Sequence, residues 1–323
     1  MPKILHTARY TGLPLEILQK ACPDGFVVKT LDELSYQQLV KEAVDADYFL
    51  VSGRLPIDKT VLEAAKNLKM IQRTGVGTDM LDKEEIKKRG IPVYVNAGVN
   101  SRSVAEHTLM LILATLKRLP QINEQVHKGI WKKQVSGVST SELFGKTVGI
   151  VGMGHVGQLV ATMLRPFGAN VIYTDVVRRS EVEEAELGLT YCNSFVELLP
   201  QVDILTLHCP MVTENLEALN ANTICLMKQG SIIINTARGK LINPDALYDA
   251  IFSGHIKAAG IDTHYEEPIK EGYKLAELDN VILTPHIGGL SYEAFHQMMH
   301  DAMVNIAAFE RGEFEQIKNK KLL

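Results

Sequence analysis

Cysteine, long apolar runs and charge of one sign are all scarce in this chain, and each shortage removes a class of protein. The four cysteines among 323 residues are Cys22, Cys192, Cys209 and Cys225; they form no Cys-x-x-Cys pair and lie in or beside apolar stretches. Buried free thiols in a reducing compartment are expected, not disulfides. The longest apolar run falls within residues 109–116, well short of the ~20 residues that span a bilayer. The opening Met1-Pro2-Lys3-Ile4-Leu5-His6 has no long apolar core of the secretory type. Lys and Arg number 34 against 38 Asp and Glu, a net charge of −4, so no basic face is on offer and nucleic acid is not an expected partner. Lys318, Lys320 and Lys321 read as a solvated tail. No His, Cys, Asp or Glu cluster has metal-ligand spacing, so no metal is expected, and His6, His127, His264 and His300 read as surface or packing residues. What these absences leave is a cytoplasmic globular protein without a membrane partner.

What is present is a rhythm. A chain of 323 residues, 46% hydrophobic and 22% charged with 24 glycines, suits two domains of about 100–200 residues each. Apolar bursts occur at Ile4-Leu5, Phe26-Val27-Val28, Tyr48-Phe49-Leu50-Val51, Met70-Ile71 and Val93-Tyr94-Val95, with amphipathic segments between them at 15–21, 36–43, 59–66 and 83–88. Such alternation builds a parallel sheet covered by helices on both faces. The rhythm breaks at Ser103-Val104-Ala105-Glu106, a capping-box pattern that predicts a helix start, with the helix stopping near Pro120. After a polar stretch over 129–141, a second series begins at Thr147–Val151 and continues through Val171-Ile172-Tyr173, Ile204–Leu207, Ile232-Ile233-Ile234, residues 258–261 and Val281-Ile282-Leu283. A helical pattern over 291–311 closes the chain with no strand after it, and crossing back to the first domain is one reading of it. The fold class expected is α/β, with two doubly wound parallel-sheet domains.

The strongest local signal is Gly152-Met153-Gly154-His155-Val156-Gly157, directly after one predicted strand and opening a helix. Gly152 suits the tight turn, Gly154 the approach of a pyrophosphate to the backbone, and Gly157 close helix–strand packing. The helix N-terminus adds free N–H groups and a positive dipole end. Asp175, 18 residues beyond Gly157 and just past the next strand, stands where a carboxylate reaches the adenosine ribose. Its charge would face the extra phosphate of NADP, so NAD is the expected cofactor. Arg178 and Arg179 follow closely, and they read either as a counterweight to Asp175 or as a solvated charge pair at a helix start.

With these residues in view, the sequence resembles the D-isomer-specific 2-hydroxyacid dehydrogenase family over nearly its whole length. The resemblance is carried by Ser103-Val104-Ala105-Glu106-His107, Gly129-Ile130-Trp131, Gly145–Gly152, Leu207-His208-Cys209-Pro210, Asn235-Thr236-Ala237-Arg238-Gly239, Asp262 through Glu267-Pro268, and Thr284-Pro285-His286-Ile287-Gly288-Gly289, in that order. It implies a Rossmann NAD-binding domain over 101–289, inserted into a discontinuous flavodoxin-like substrate domain of 1–100 and 290–323, with a cleft between them, in a homodimer. It implies Arg238, Glu267 and His286 as the catalytic residues. His155, Val156, Asp175, Cys209, Pro210, Thr236, Ala237, Asp262 and Gly288 fall at dinucleotide contacts, beside the fingerprint glycines. Backbone N–H groups around Val76 and Gly77 join Arg238 in holding the substrate carboxylate.

The chemistry supports these roles independently of the family. A 2-oxo acid carries a carboxylate to be fixed and a carbonyl that becomes an alkoxide as hydride arrives. A guanidinium suits both tasks. A histidine supplies or removes the hydroxyl proton, and a nearby carboxylate orients the ring and stabilises its charged form. The expected function is hydride transfer between NAD(H) and C2 of a small 2-hydroxy or 2-oxo acid. An NAD(H)-sensing binding protein of the same fold is the alternative. Formate and phosphite enzymes share the scaffold, but the formate enzymes carry glutamine where this chain has Glu267. Two departures leave the acid itself open among hydroxypyruvate, glyoxylate, a lactate-type acid and phosphohydroxypyruvate. Phosphoglycerate dehydrogenases typically carry Arg-Ser after the third strand, where this chain reads Ser52-Gly53-Arg54-Leu55, and their long C-terminal regulatory domain has no counterpart here. Arg54 reads equally as a cleft residue favouring an acidic substrate and as a cap on the following turn.

Overall fold

The computed structural model describes residues 1–317 and 320–322 and divides the chain into two units, Met1–Asn100 with Tyr292–Leu323, and Ser101–Ser291. In the first unit the strands are β1 (Lys3–His6), β2 (Val27–Thr30), β3 (Tyr48–Val51), β4 (Met70–Arg73) and β5 (Val93–Val95), separated by α1 (Leu13–Ala21), α2 (Tyr36–Ala43), α3 (Lys59–Ala64) and α4 (Lys83–Lys88). They pair in parallel in the order β2-β1-β3-β4-β5, the flavodoxin-like arrangement. Central strands covered on both faces read as continuous apolar runs, and all four residues of β3, Tyr-Phe-Leu-Val, are buried. One sheet face packs Phe49 and Ile71 against Leu39 of α2, Val61 and Leu62 of α3 and Ile86 of α4. Acceptor side chains start these helices: Ser35 caps α2, Asp58 caps α3 and Asp82 caps α4, each taking up an otherwise orphaned N–H.

The second unit contains α5 (Ser101–Lys117), α6 (Leu119–His127), α7 (Lys133–Val138), β6 (Thr147–Val151), α8 (His155–Leu164), β7 (Asn170–Thr174), α9 (Glu181–Leu187), β8 (Leu189–Tyr191), α10 (Phe195–Leu198), β9 (Ile204–Leu207), α11 (Ala221–Ile224), β10 (Ser231–Asn235), α12 (Pro244–Phe252), β11 (Ile256–Ile261) and β12 (Val281–Leu283). Its seven parallel strands lie in the order β8-β7-β6-β9-β10-β11-β12. The strand order therefore reverses between β6 and β9, the switch point beside which open α/β sheets bind their ligands, at the carboxyl ends of the strands. One face packs α5 and α8, through Leu111, Ile112, Val160 and Leu164, on Val148, Ile150 and Ile234. The opposite face is closed by α10, α11 and α12 around Leu205, Ile233 and Ala259.

The chain then returns to the first unit as α13 (Tyr292–Glu310) and a two-residue β13 (Lys320–Lys321). Met298, Met299, Met303 and Ile306 of α13 fill the sheet face left open by α1, beside Ile4, Tyr48 and Leu50. Buried amides fix the register of this packing. Asn305 donates to Gln72, Gln72 to Asn96, and Asn96 to the Met298 carbonyl, at 3.3, 3.0 and 2.9 Å.

Several local expectations need correction. The helix expected from a capping box at Ser103 begins two residues earlier, at Ser101. The Ser103 hydroxyl donates to the Gly288 carbonyl at 2.7 Å, so a tertiary partner has taken the atom that a cap would use. Pro120 does not end that helix. α5 stops at Lys117, Arg118 turns through the left-handed region at φ 51°, and Pro120 sits in the first turn of α6, where its missing N–H has no intrahelical partner to lose. The stretch read as a polar connection contains α7. Only Cys192 of the four free cysteines is buried, while Cys225, just past the short α11, is exposed. Lys320 and Lys321 pair with Val95 and Tyr94 as an antiparallel edge instead of trailing into solvent, and Lys318 lies outside the described residues.

Candidate active site

The residues expected to contact a dinucleotide follow the carboxyl ends of six adjacent strands of the second unit: Gly152–Gly157 after β6, Asp175 after β7, Cys209 and Pro210 after β9, Thr236 and Ala237 after β10, Asp262 after β11 and Gly288 after β12. The glycines differ in what they permit. Gly152 has φ +97°, and a Cβ there would stand 2.6 Å from the Cys209 nitrogen. A Cβ on Gly157 would run into the Gly152 carbonyl, whereas one on Gly154, the N-cap of α8, would meet nothing within 4 Å. Gly152 and Gly157 thus close the strand-to-helix turn tightly and Gly154 leaves a bare cradle over a helix N-terminus, which fits a pyrophosphate. The Asp175 carboxylate accepts from the N–H groups of Met153 and Val177, which draws it against the glycine loop. Burial raises the Cys209 thiol to about 11, so at this edge it is a neutral, packing side chain.

Arg238 follows β10, with the Asn235 amide bonded to its carbonyl at 2.9 Å and to the Ala237 N–H at 3.0 Å. Thr236 is buried, its hydroxyl 2.9 Å from that of Thr108 on α5. A Cβ on Gly239 would strike the His264 carbonyl, so the backbone after Arg238 lies directly against the segment leading to Glu267. His286 and Glu267 are in contact: the imidazole Nδ1 is 2.7 Å from Glu267 Oε2. A carboxylate accepts only, so Nδ1 carries the proton and donates, leaving Nε2 for chemistry. Glu267 also accepts from the His264 N–H at 2.9 Å. Burial works to raise its carboxyl, but the bonds from His286 and His264 outweigh it, and the group titrates below the usual carboxylate value.

The His286 backbone is itself unusual, with φ 57°, a conformation that holds a non-glycine residue only where its surroundings over-determine it. Asp262 does so. Its carboxylate is 1% exposed and accepts from Thr284 Oγ1 at 2.6 Å, Ile287 N at 3.0 Å and Gly288 N at 2.8 Å, bracketing His286 on both sides. The His107 ring of α5 adds a contact of 3.4 Å from its Nε2 to the Asp262 carboxylate. Burial would raise the Asp262 carboxyl, yet hydrogen bonds from His107, Thr284, Ile287 and Gly288 hold it at about 2.

The description "D-isomer specific 2-hydroxyacid dehydrogenase, NAD binding domain" matches residues 109–288. The chain belongs to this family. Among curated relatives it is 36% identical, over 91% of its length, to a D-3-phosphoglycerate dehydrogenase of Mycobacterium leprae, of which it covers 55%. It thus spans about half the length of the phosphoglycerate dehydrogenases that it matches. It is 34% identical to a glyoxylate reductase of Thermofilum pendens, covering all of this chain and 96% of that one. Among solved structures it superposes on D-lactate dehydrogenase from Aquifex aeolicus, complexed with NAD and lactic acid, with TM-score 0.84 and 30% identity over 98% of this chain and 97% of the other. The second unit is accordingly the NAD-binding domain of a 2-hydroxyacid dehydrogenase fold.

Within that domain several positioning residues carry no sequence signal of their own. His264, expected to be a packing residue, packs as such, with its ring 2.9 Å from the Thr284 carbonyl, and its backbone serves Glu267. Glu217, at φ 50°, accepts from Tyr265 at 2.8 Å and Asn243 at 3.0 Å while its N–H donates to the Lys240 carbonyl. It ties together the three loops after β9, β10 and β11. Nothing but the fold predicts such a clip, because its partners come from distant segments. In the first unit, Val76 is exposed in the loop after β4, and Gly77 accepts from the Arg73 guanidinium. Among the described residues no group of three or more His, Cys, Asp or Glu could hold a metal ion, and no helix is long and apolar enough to cross a membrane.

Proposed function

We propose that the protein is an NAD-dependent D-2-hydroxyacid dehydrogenase acting on a small 2-hydroxy or 2-oxo acid. The observation that carries this reading is the 2.7 Å His286–Glu267 contact, at the carboxyl edge of an NAD-binding sheet and beside the Arg238 loop. NAD, bound across that edge, supplies the hydride carrier. Arg238 fixes the substrate carboxylate and stabilises charge growing on the C2 oxygen. His286 Nε2 gives its proton to that oxygen in reduction and removes it in oxidation. Glu267 holds the Nδ1 proton, and with it the ring orientation, while Asp262 maintains the strained turn on which the ring stands. Four free thiols fit a reducing compartment, and the cytoplasm is the proposed location.

The test is steady-state turnover of glyoxylate, hydroxypyruvate, pyruvate and phosphohydroxypyruvate with NADH and with NADPH. Oxidation of NADH by at least one acid is expected, with Arg238→Lys losing more than ~100-fold in kcat/KM because lysine cannot reproduce the bidentate grip. Tight NADH binding without turnover of any acid would overturn the enzyme reading in favour of an NAD(H)-sensing protein.

A further inference from the structure

We propose that Glu184 is a cofactor-selecting residue: it holds Arg178 in a two-pronged grip that withholds the guanidinium from the 2′-position of the adenosine ribose. NAD is then selected over NADP by two carboxylates, Asp175 and Glu184, and not by Asp175 alone. This rests on the reading that the unit binds a dinucleotide with its ribose at Asp175.

An arginine shortly after the second strand of this fold is the residue that accommodates a 2′-phosphate. Arg178 stands three positions beyond Asp175, yet it is committed elsewhere. Its Nε and Nη2 donate to the two oxygens of Glu184 at 2.9 and 2.8 Å, the fork-on-carboxylate geometry that gives the strongest such pairs. The grip is supported from behind by the Tyr173 hydroxyl, which donates to the same carboxylate at 2.7 Å. The guanidinium also lies 5.2 Å from the centre of the Tyr191 ring, an aromatic face that favours a cation. The Glu184 side chain is 10% exposed and that of Arg178 52%, so the anchor is sheltered while the arginine remains open to solvent. Hydrogen bonds from Arg178 and Tyr173 outweigh burial and hold the Glu184 carboxyl at about 2, so the pair stays charged at neutral pH.

Electrostatics points the same way. Arg179 Nη1 is 3.8 Å from Glu183, and its N–H is 2.8 Å from the Tyr173 hydroxyl oxygen. Both arginines are therefore matched by α9 glutamates and the Asp175 charge is left over. A 2′-phosphate would add a dianion beside a surplus negative charge. With Glu184 neutral that surplus is cancelled and the Arg178 fork is free to turn.

The test is equilibrium binding of NADH and of NADPH to the full chain by calorimetry, independent of turnover. Wild type is expected to bind NADH more tightly. Glu184→Gln is expected to raise the ratio of NADPH to NADH affinity ~tenfold, the scale of one close charge, and Arg178→Ala added to it is expected to erase the gain. Arg178→Ala alone is expected to leave the ratio within about twofold of wild type, since the fork is already occupied. An unchanged ratio in Glu184→Gln, with both affinities falling together, would reduce the grip to a prop for α9 and overturn the proposal. A selective loss of NADPH in Arg178→Ala alone would overturn it too, by showing that Arg178 already serves the phosphate, and this holds even if Glu184→Gln fails to fold. A wild type that binds neither dinucleotide overturns the reading of the site itself.

Discussion

Glu267 is the residue on which pH behaviour turns. Its carboxyl is held below the ordinary carboxylate range by the bonds from His286 and His264, against the effect of burial, so it is ionised throughout the range in which an imidazole ordinarily titrates. An ionised carboxylate 2.7 Å from Nδ1 favours the imidazolium that reduction needs as its proton donor. Glu267→Gln keeps the shape and removes that charge, so the charged form of the ring loses its stabilising neighbour. The falling limb of kcat/KM for 2-oxo acid reduction is expected to move to lower pH, and oxidation is expected to gain activity on the acid side. His286→Asn is expected to be nearly inactive in both directions and to show no such limb. Profiles of kcat/KM in both directions check this, and a limb left in place by Glu267→Gln would remove Glu267 from the role of partner. At this scale the sequence was informative about identity and silent about support. Arg238, Glu267 and His286 stood out because each follows a predicted strand in a recognisable motif. Asp262 stood out only as a dinucleotide contact implied by the family resemblance, and that its bonds to Thr284, Ile287 and Gly288 bracket His286 depends on how the segment folds back.

At the scale of the element, α13 shows how a helix finds its place. Its apolar periodicity over 291–311 was legible, and so was its lack of a following strand. Its seat on the first unit is fixed by partners far away in sequence: Gln72 and Asn96 for Asn305 and Met298, and Tyr48, 262 positions distant, whose buried hydroxyl bonds to Glu310. Lys69 joins Glu310 at 3.0 Å. The hydrogen bond from Tyr48, with Lys69 adding to it against a burial penalty, holds the Glu310 carboxyl below its ordinary value. A carboxylate whose folded pKa is depressed stabilises above its unfolded pKa, and the contribution disappears as pH falls through the folded value. Glu310→Gln is therefore expected to cost about 0.5–1 kcal/mol near neutrality, since the pair is largely solvent-screened, read as a lower urea midpoint, and the gap to wild type is expected to close as pH falls through the folded value. A gap that persists undiminished in acid would show that shape, not charge, secures the helix end.

At the scale of the whole molecule, the second unit exposes several large apolar side chains over residues 119–144. Leu119 and Val126 of α6, Val135 and Val138 of α7, Phe144, and Trp131 at 79% exposure are all open to solvent. Exposed apolar side chains of this kind suit an association surface, and we propose the homodimer implied by the family resemblance as the assembly that covers them. Sedimentation is expected to give the mass of a dimer, and Trp131→Glu, which forces a charge into that surface, is expected to yield monomer at micromolar concentration while the far-ultraviolet spectrum stays native. A monomeric wild type would remove the proposal. Alternation of apolar bursts with amphipathic segments determined the α/β class and both doubly wound sheets, because buried parallel strands and their covering helices each leave a period in the sequence itself. Glycine spacing after β6 marked the turn proposed for a pyrophosphate, because the left-handed freedom used at Gly152 and the missing Cβ needed at Gly157 are properties of the residue. Only the tertiary structure decided that Ser103 bonds to Gly288 instead of capping a helix, that Arg178 is spent on Glu184, and that Glu217 joins three loops. Each of these is a choice among several available partners for one polar group, and the choice depends on which segments the fold carries to within 3 Å or so of one another, the reach of a hydrogen bond.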